Sequence, residues 1–213
     1  MSEDSTIQER SLSMFSMLMV CTGNIGRSPM MERLMLRELS SRGVDDVVSV
    51  SSAGTMGQVG QTMEPGAVRA LSERGVDAAD FSATLLTPQA VGSSDLILVA
   101  TREHRSEVVN LLPGAVRRTF TLHELARVVH SAPAIPGSNS VDVEVHDLPR
   151  RMRDAVAWAG QVRGSVPRPH PEDLDDLADP LGAPDQVYRD RALAIAVSVE
   201  RIVPYLLGGT SAG

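Results

Sequence analysis

Residues Met17 to Pro29 read MLMVCTGNIGRSP. A short apolar run enters a loop carrying the chain's only cysteine, Cys21, and the loop turns into a helix opened by Ser28 and Pro29. Cys21 and Arg27 bracket five residues, among which Gly23, Asn24 and Gly26 are types that tolerate strained backbone. This is a loop shaped to hold an anion.

Phe15 to Val20 reads as a buried parallel strand. After the loop, Met30, Met31, Leu34, Met35 and Leu39 recur at helical spacing, with Gly43 as a stop. Val47, Val48 and Val50 form a second strand running into SSAGT, and Pro65 opens a helix ended by Gly75. Asp95 to Ala100 is the clearest buried strand, followed by a helix from about Arg102 to Leu112, and Val116 to Leu122 alternates as a fourth strand near an edge. Four strands separated by helices predict an α/β fold: a doubly wound three-layer sandwich on a central four-stranded parallel sheet. Ligands in such sheets sit beyond the carboxyl ends of the strands, where the Cys21 loop falls.

The remainder is less regular. Ser131 to Asn139 is loop-like, a helix is expected from about Leu148 to Val162, and PEDLDDLADP at 171–180 is strongly acidic. The helix carries Arg150, Arg151, Arg153 and Arg163, so pairing between basic helix and acidic loop is the plain expectation. A last helix from Asp185 places Tyr188, Ala192, Ile195, Val199, Ile202 and Leu206 on a stripe facing the sheet. The expected organisation is a disordered tail over 1–13, one domain over 14–207 with an extended insert at about 131–177, and a second disordered tail over 208–213.

Composition bounds the function. The 213 residues are 42% hydrophobic and only 3% aromatic, so Val, Leu, Ala, Ile and Met must build the core. A net charge of -7 argues against a general nucleic-acid partner. One cysteine makes no internal disulfide, the polar start lacks a signal-peptide pattern, and no run approaches the roughly 20 apolar residues of a membrane span. A cytoplasmic protein without a membrane partner is expected.

A phosphate monoester dianion needs donors on its equatorial oxygens, a nucleophile in line with phosphorus, and an acid for the departing oxygen. The loop supplies the first two. Backbone N–H groups of Thr22, Gly23, Asn24, Ile25, Gly26 and Arg27 would converge on the anion, aided by the positive end of the helix starting near Ser28. Arg27 can close the ring with a bidentate guanidinium contact. The same field favours the thiolate of Cys21, a nucleophile that Ser28 can steady by donating to sulfur.

CTGNIGRSP resembles the phosphate-binding loop of the low-molecular-weight protein tyrosine phosphatases, and strand, loop and helix follow in that family's order. The resemblance covers roughly Phe15 to Leu207, including SSAGT, DLILVAT at 95–101 and ADP at 178–180. It implies a cysteine-dependent hydrolase that needs no metal or other cofactor. By motif, Asp179 before Pro180 is the implied general acid, worth about 10² to 10⁴ in rate. Asn24 and Ser52 match positions that hold the loop in shape. The short SAGTMGQVG segment resembles the bacterial subgroup associated with exopolysaccharide tyrosine kinases.

Departures bear on substrate. Gly26 stands where the family often has a second cysteine, so oxidised Cys21 has no intramolecular partner. Gln58, Phe81 and Leu181 occupy positions where the resemblance leads one to expect an apolar residue, a histidine and an aromatic, so the cleft is expected to be poor in aromatics. A phosphotyrosyl protein is the implied substrate, with a small phosphomonoester as the alternative. An arsenate reductase resolved by an external thiol and a non-catalytic phosphate-binding module also share the loop. Ile25 replaces the threonine typical of phosphoarginine phosphatases, which favours an aryl phosphate. The long connection from Ser131 to Leu177 is a candidate lid.

Overall fold

Strand β1 (Phe15–Cys21) is buried on both faces and decides the layering. Phe15, Met17, Met19 and Cys21 point into one apolar cluster while Leu18 and Val20 point into another. That division follows from the two-residue period of a strand and requires cover on both sides. The structure is a computed structural model describing residues 14–131, 135 and 145–208. The tails expected at 1–13 and 208–213 lie outside these residues apart from Gly208, as does most of the loop-like stretch after Ser131.

Three more strands complete the sheet: β2 (Val48–Gly54), β3 (Leu96–Val99) and β4 (Thr119–Thr121). All pairings are parallel and the order is β2-β1-β3-β4. The strand order reverses at β1, whose register sets Cys21 opposite Gly54 at the carboxyl edge. The loop after Cys21 therefore opens at the switch point of the sheet, the usual ligand position in this architecture.

Helices α1 (Arg27–Ser41) and α2 (Pro65–Ser72) cover the larger cluster. The same face takes three later helices: α5 (Leu122–Ser131), α6 (Leu148–Val162) and α7 (Asp185–Leu206). The short α3 (Pro88–Ser93) and α4 (Arg102–Leu111) cover the smaller cluster through Val91 and Val108. Methionine does much of the filling: Met17, Met19, Met30, Met31, Met35 and Met152 are all essentially inaccessible. Its unbranched, adaptable side chain suits a core with few rings.

Three expectations need correction. The fourth strand is shorter than Val116–Leu122, because Pro113 starts a 3-10 turn over Pro113–Arg118 that consumes its first half. Its end is set by a reciprocal cap: Thr121 Oγ1 accepts from the Glu124 N–H at 3.0 Å, and the Glu124 carboxylate accepts from the Thr121 N–H at 3.4 Å. That pattern starts α5, a helix the hydrophobic spacing alone did not suggest.

The acidic loop pairs, but not with the basic helix. Asp175 takes Arg127 of α5 at 2.7 Å, and Asp176 and Glu172 share Arg102 of α4 at 3.1 and 2.7 Å. Arg153 instead bonds Asp95 at 2.9 Å and the carbonyl of Met14 at 2.5 Å, just before β3 and β1. Helix α6 thus reaches the amino-terminal edge of the sheet, away from the Cys21 loop, and its described residues form no lid.

Candidate active site

The loop from Thr22 to Gly26 is held from outside by its carbonyls. Cys21, Thr22, Gly23 and Ile25 accept from the N–H groups of Thr55, Met56, Gln58 and Glu64 at 2.8–3.0 Å. Among the described residues, none of the N–H groups from Thr22 to Arg27 finds an acceptor within the chain, so they remain for an anion. Close approach makes this possible: a Cβ on Gly54 would lie 2.4 Å from the Thr22 carbonyl oxygen, so only glycine fits. Asn24 sits at φ 55°, the left-handed region that asparagine tolerates.

Asn24 is the buried brace. Its Oδ1 accepts from the Thr84 N–H at 2.8 Å, which fixes the amide so that Nδ2 donates to Ser28 Oγ at 2.9 Å and Ser52 Oγ at 2.8 Å. The Ser28 hydroxyl lies 2.9 Å from Cys21 Sγ and 3.5 Å from the Ala53 carbonyl, so its one proton can be directed to either acceptor. Ser52 in turn donates to Glu32 at 2.5 Å. Burial pushes the Glu32 carboxyl above its ordinary range, while the Ser52 bond and Arg33 pull against that shift.

Arg27 opens α1 and is only 6% exposed. Its guanidinium donates to Asp179 Oδ2 at 2.6 Å, to the Leu177 carbonyl at 3.3 Å and to Thr22 Oγ1 at 3.3 Å. Asp179 is half-exposed and is oriented by the Leu181 N–H, which donates to Oδ1 at 3.1 Å. The segment before it is anchored by the Asp175 and Asp176 ion pairs and by Leu177 N–H to the Ala100 carbonyl at 2.7 Å. Cys21, Arg27 and Asp179 line one cleft of about 330 Å³ at the carboxyl edge of the sheet. Thr22, Gly23, Ile25 and Gly26 line it too, whereas Asn24, Ser28 and Ser52 stand behind it.

The cleft walls differ from expectation at two points. Phe81 packs against the main core and does not line the cleft. Tyr188, expected only in the α7 core stripe, is buried and also lines the cleft, with its ring against Gly66. Burial raises its hydroxyl pKa, so it stays protonated at neutral pH. Gln58 and Leu181 are on the lining as expected.

Sequence reading also missed His104. Its ring bonds Thr22 Oγ1 at 2.9 Å and Thr101 Oγ1 at 2.6 Å, tying the loop to the start of α4. The signal was present as Thr-x-x-His after β3, where Thr101 caps α4 by accepting from the His104 N–H.

Burial, with Arg27 nearby, depresses His104 below 6.5, and burial likewise depresses His123. An unfolded chain would hold these protons at a pH where the folded one does not. Their contribution to stability is therefore present above about 6.5 and lost as pH falls through the folded values. Glu32, raised, acts with the opposite sign, contributing below its unfolded value of 4.5 and less as pH rises. Thermal melts from pH 7 to 5 should show falling Tm, with a shallower fall in the His104→Gln/His123→Gln variant. An unchanged slope would contradict the assignment.

A cysteine at the foot of an amide cradle, with arginine and aspartate on the same cleft at the carboxyl edge of a parallel sheet, defines a cysteine-dependent phosphatase. A profile of the family described as Low molecular weight phosphotyrosine protein phosphatase matches residues 16–133, more than half of the chain, and ends before Asp179. The chain belongs to this family. It is 34% identical over 148 residues to the probable low molecular weight protein-tyrosine-phosphatase EpsP of Ralstonia nicotianae, covering 70% of this chain and 96% of that one. It is 32% identical over 141 residues to the protein-arginine-phosphatase of Bacillus subtilis, covering 63% and 92%. The crystal structure of the Erwinia amylovora tyrosine phosphatase AmsI superposes with a TM-score of 0.62 at 22% identity, over 89% of this chain and 91% of that one, a likeness of fold.

Proposed function

We propose that the protein is a phosphotyrosyl-protein phosphatase working through a cysteinyl-phosphate. The carrying observation is Cys21 Sγ beneath a ring of unused amide N–H groups, with Arg27 and Asp179 on the same cleft. The thiolate attacks phosphorus in line, Arg27 and the amides take the equatorial oxygens, and Asp179 protonates the departing oxygen. Asp179, now a carboxylate, accepts a proton from water as that water attacks phosphorus, and inorganic phosphate leaves. The Ser28 hydroxyl, braced by Asn24, donates to the sulfur as it departs with its electron pair.

The walls favour an aryl phosphate on a protein. Ile25, Met56, Leu181 and the Tyr188 ring give the cleft an apolar lining, and Ile25 offers no hydroxyl to a phosphoguanidinium group. Met56 on the cleft rim and Val59, not itself in the cleft lining, are 73% and 70% exposed and offer apolar surface to residues flanking the phosphorylated one. Cytoplasmic residence fits a nucleophile that requires a reduced thiol. Across phosphotyrosyl peptides, phosphoarginine peptides and small sugar phosphates, with EDTA present, kcat/KM is expected to be at least about tenfold higher for phosphotyrosine. Higher kcat/KM for a sugar phosphate would assign the site to small phosphomonoesters, and EDTA sensitivity would contradict the metal-free reaction.

A further inference from the structure

Behind the segment that carries Asp179 lies a second cavity of about 300 Å³. Its lining holds Arg102, Arg105, Arg127, Arg163 and Arg168 against three carboxylates, Glu124, Glu172 and Asp175. Such an excess of positive charge in a concavity stands out on a chain of net charge -7.

The arginines are not equivalent. Arg163 is held by Glu124 at 2.6 Å and stacks on the Phe120 ring at 4.2 Å, so it is committed. Arg127 is committed to Asp175, and Arg102 is divided between Asp176 and Glu172. Arg168 is 84% exposed and stands 3.9 Å from Glu172, too far for a tight contact. Arg105 differs from all of these. It is partly buried, its Nε donates to the Thr119 carbonyl at 3.3 Å, and among the described residues no carboxylate lies within ion-pair distance. Among the described residues its terminal nitrogens find no acceptor. Burial first, and then the neighbouring Arg163, push its pKa down against the opposing pull of Glu124.

We propose that this cavity is a second anion site, in which Arg105 is the principal donor and Arg102 and Arg168 close over a compact phosphate-type oxyanion. Tetrahedral oxyanions match the forked geometry of guanidinium groups, and a space of this size takes one or two phosphoryl groups. Free phosphate or diphosphate and the phosphate chain of a nucleotide present the same chemistry to it. Occupancy has a route to the catalytic cleft: an anion on Arg102 competes with Glu172 and Asp176, and these carboxylates tether the segment leading to Asp179. This coupling rests on the proposed role of Asp179, whereas the binding site does not.

The test is isothermal titration of the full chain carrying Arg27→Ala, which removes the anion clamp of the catalytic cleft. Phosphate, diphosphate and ATP are titrated separately at low ionic strength. One site is expected, weakened by salt and by at least about tenfold on adding Arg105→Gln. Arg168→Gln, an exposed change that leaves the fold undisturbed, is expected to weaken binding by about two- to fivefold and tests the site should Arg105→Gln unfold. Diphosphate binding without ATP binding supports a site for the free oxyanion, and tighter ATP binding supports a nucleotide chain. No saturable binding of any of the three by Arg27→Ala would overturn the proposal, as would affinities unchanged by both further substitutions. Failure of the catalytic reading is separate, since it is read from turnover of the Cys21→Ser variant.

Discussion

Replacing Cys21 with serine is expected to lower kcat by on the order of 10⁴-fold or more while leaving phosphate affinity nearly intact. The two side chains differ by one atom, and Ser28 Oγ at 2.9 Å from the sulfur can bond a hydroxyl as readily. The cradle of amides and Arg27 does not depend on the sulfur for its shape, because its carbonyls are tied to the segment from Thr55 to Glu64. What changes is the nucleophile. An alcohol is un-ionised at neutral pH and a poor leaving group from phosphorus, so both halves of the reaction slow. The measurement pairs para-nitrophenyl phosphate turnover with vanadate or phosphate binding. Turnover within tenfold of the wild-type rate would rule out the cysteinyl-phosphate.

Asp179→Asn is expected to reduce kcat by about 10² to 10⁴ on phosphotyrosine, with a smaller loss on para-nitrophenyl phosphate, whose leaving group needs less protonation. It should also tighten phosphate binding, an opposite change in the same variant. The reason is the 2.6 Å contact of Asp179 with Arg27 in the free protein, which engages the guanidinium that the phosphate oxygens need. An amide competes for that guanidinium less strongly than a carboxylate does. An aspartate that merely solvated the cleft would show neither the leaving-group dependence nor the gain in affinity. Equal losses on both substrates with unchanged phosphate affinity would remove Asp179 from this role.

The sheet was legible because β1 and β3 are continuous apolar runs, and α1, α2, α6 and α7 carry clean helical spacing with proline or glycine at their ends. Helices α3 and α5 were not, since one is too short for periodicity and the other abuts β4 without a break. Both nonetheless carry cap signals, Thr87-Pro88 and Thr121 with Glu124. At the site, Cys21 and Arg27, the proposed nucleophile and clamp, could be read from one contiguous loop, and Asp179 only through its proline and family position. His104, Glu32 and Thr84 were out of reach because their roles come from tertiary contacts across 20 to 82 residues. Tyr188 misled for a related reason: a side chain on the core face near a helix start can end at a cleft, and periodicity does not distinguish the two.

The carbonyl bonds from the loop to residues 55–64 bear on how portable the nine residues CTGNIGRSP are. Transplanted to another strand-helix junction, they would bring the proposed nucleophile and clamp but not the outer rail of carbonyl bonds. In this chain the motif is half of a two-part device, and the glycine at 54 that admits the other half is as much a part of it as the cysteine.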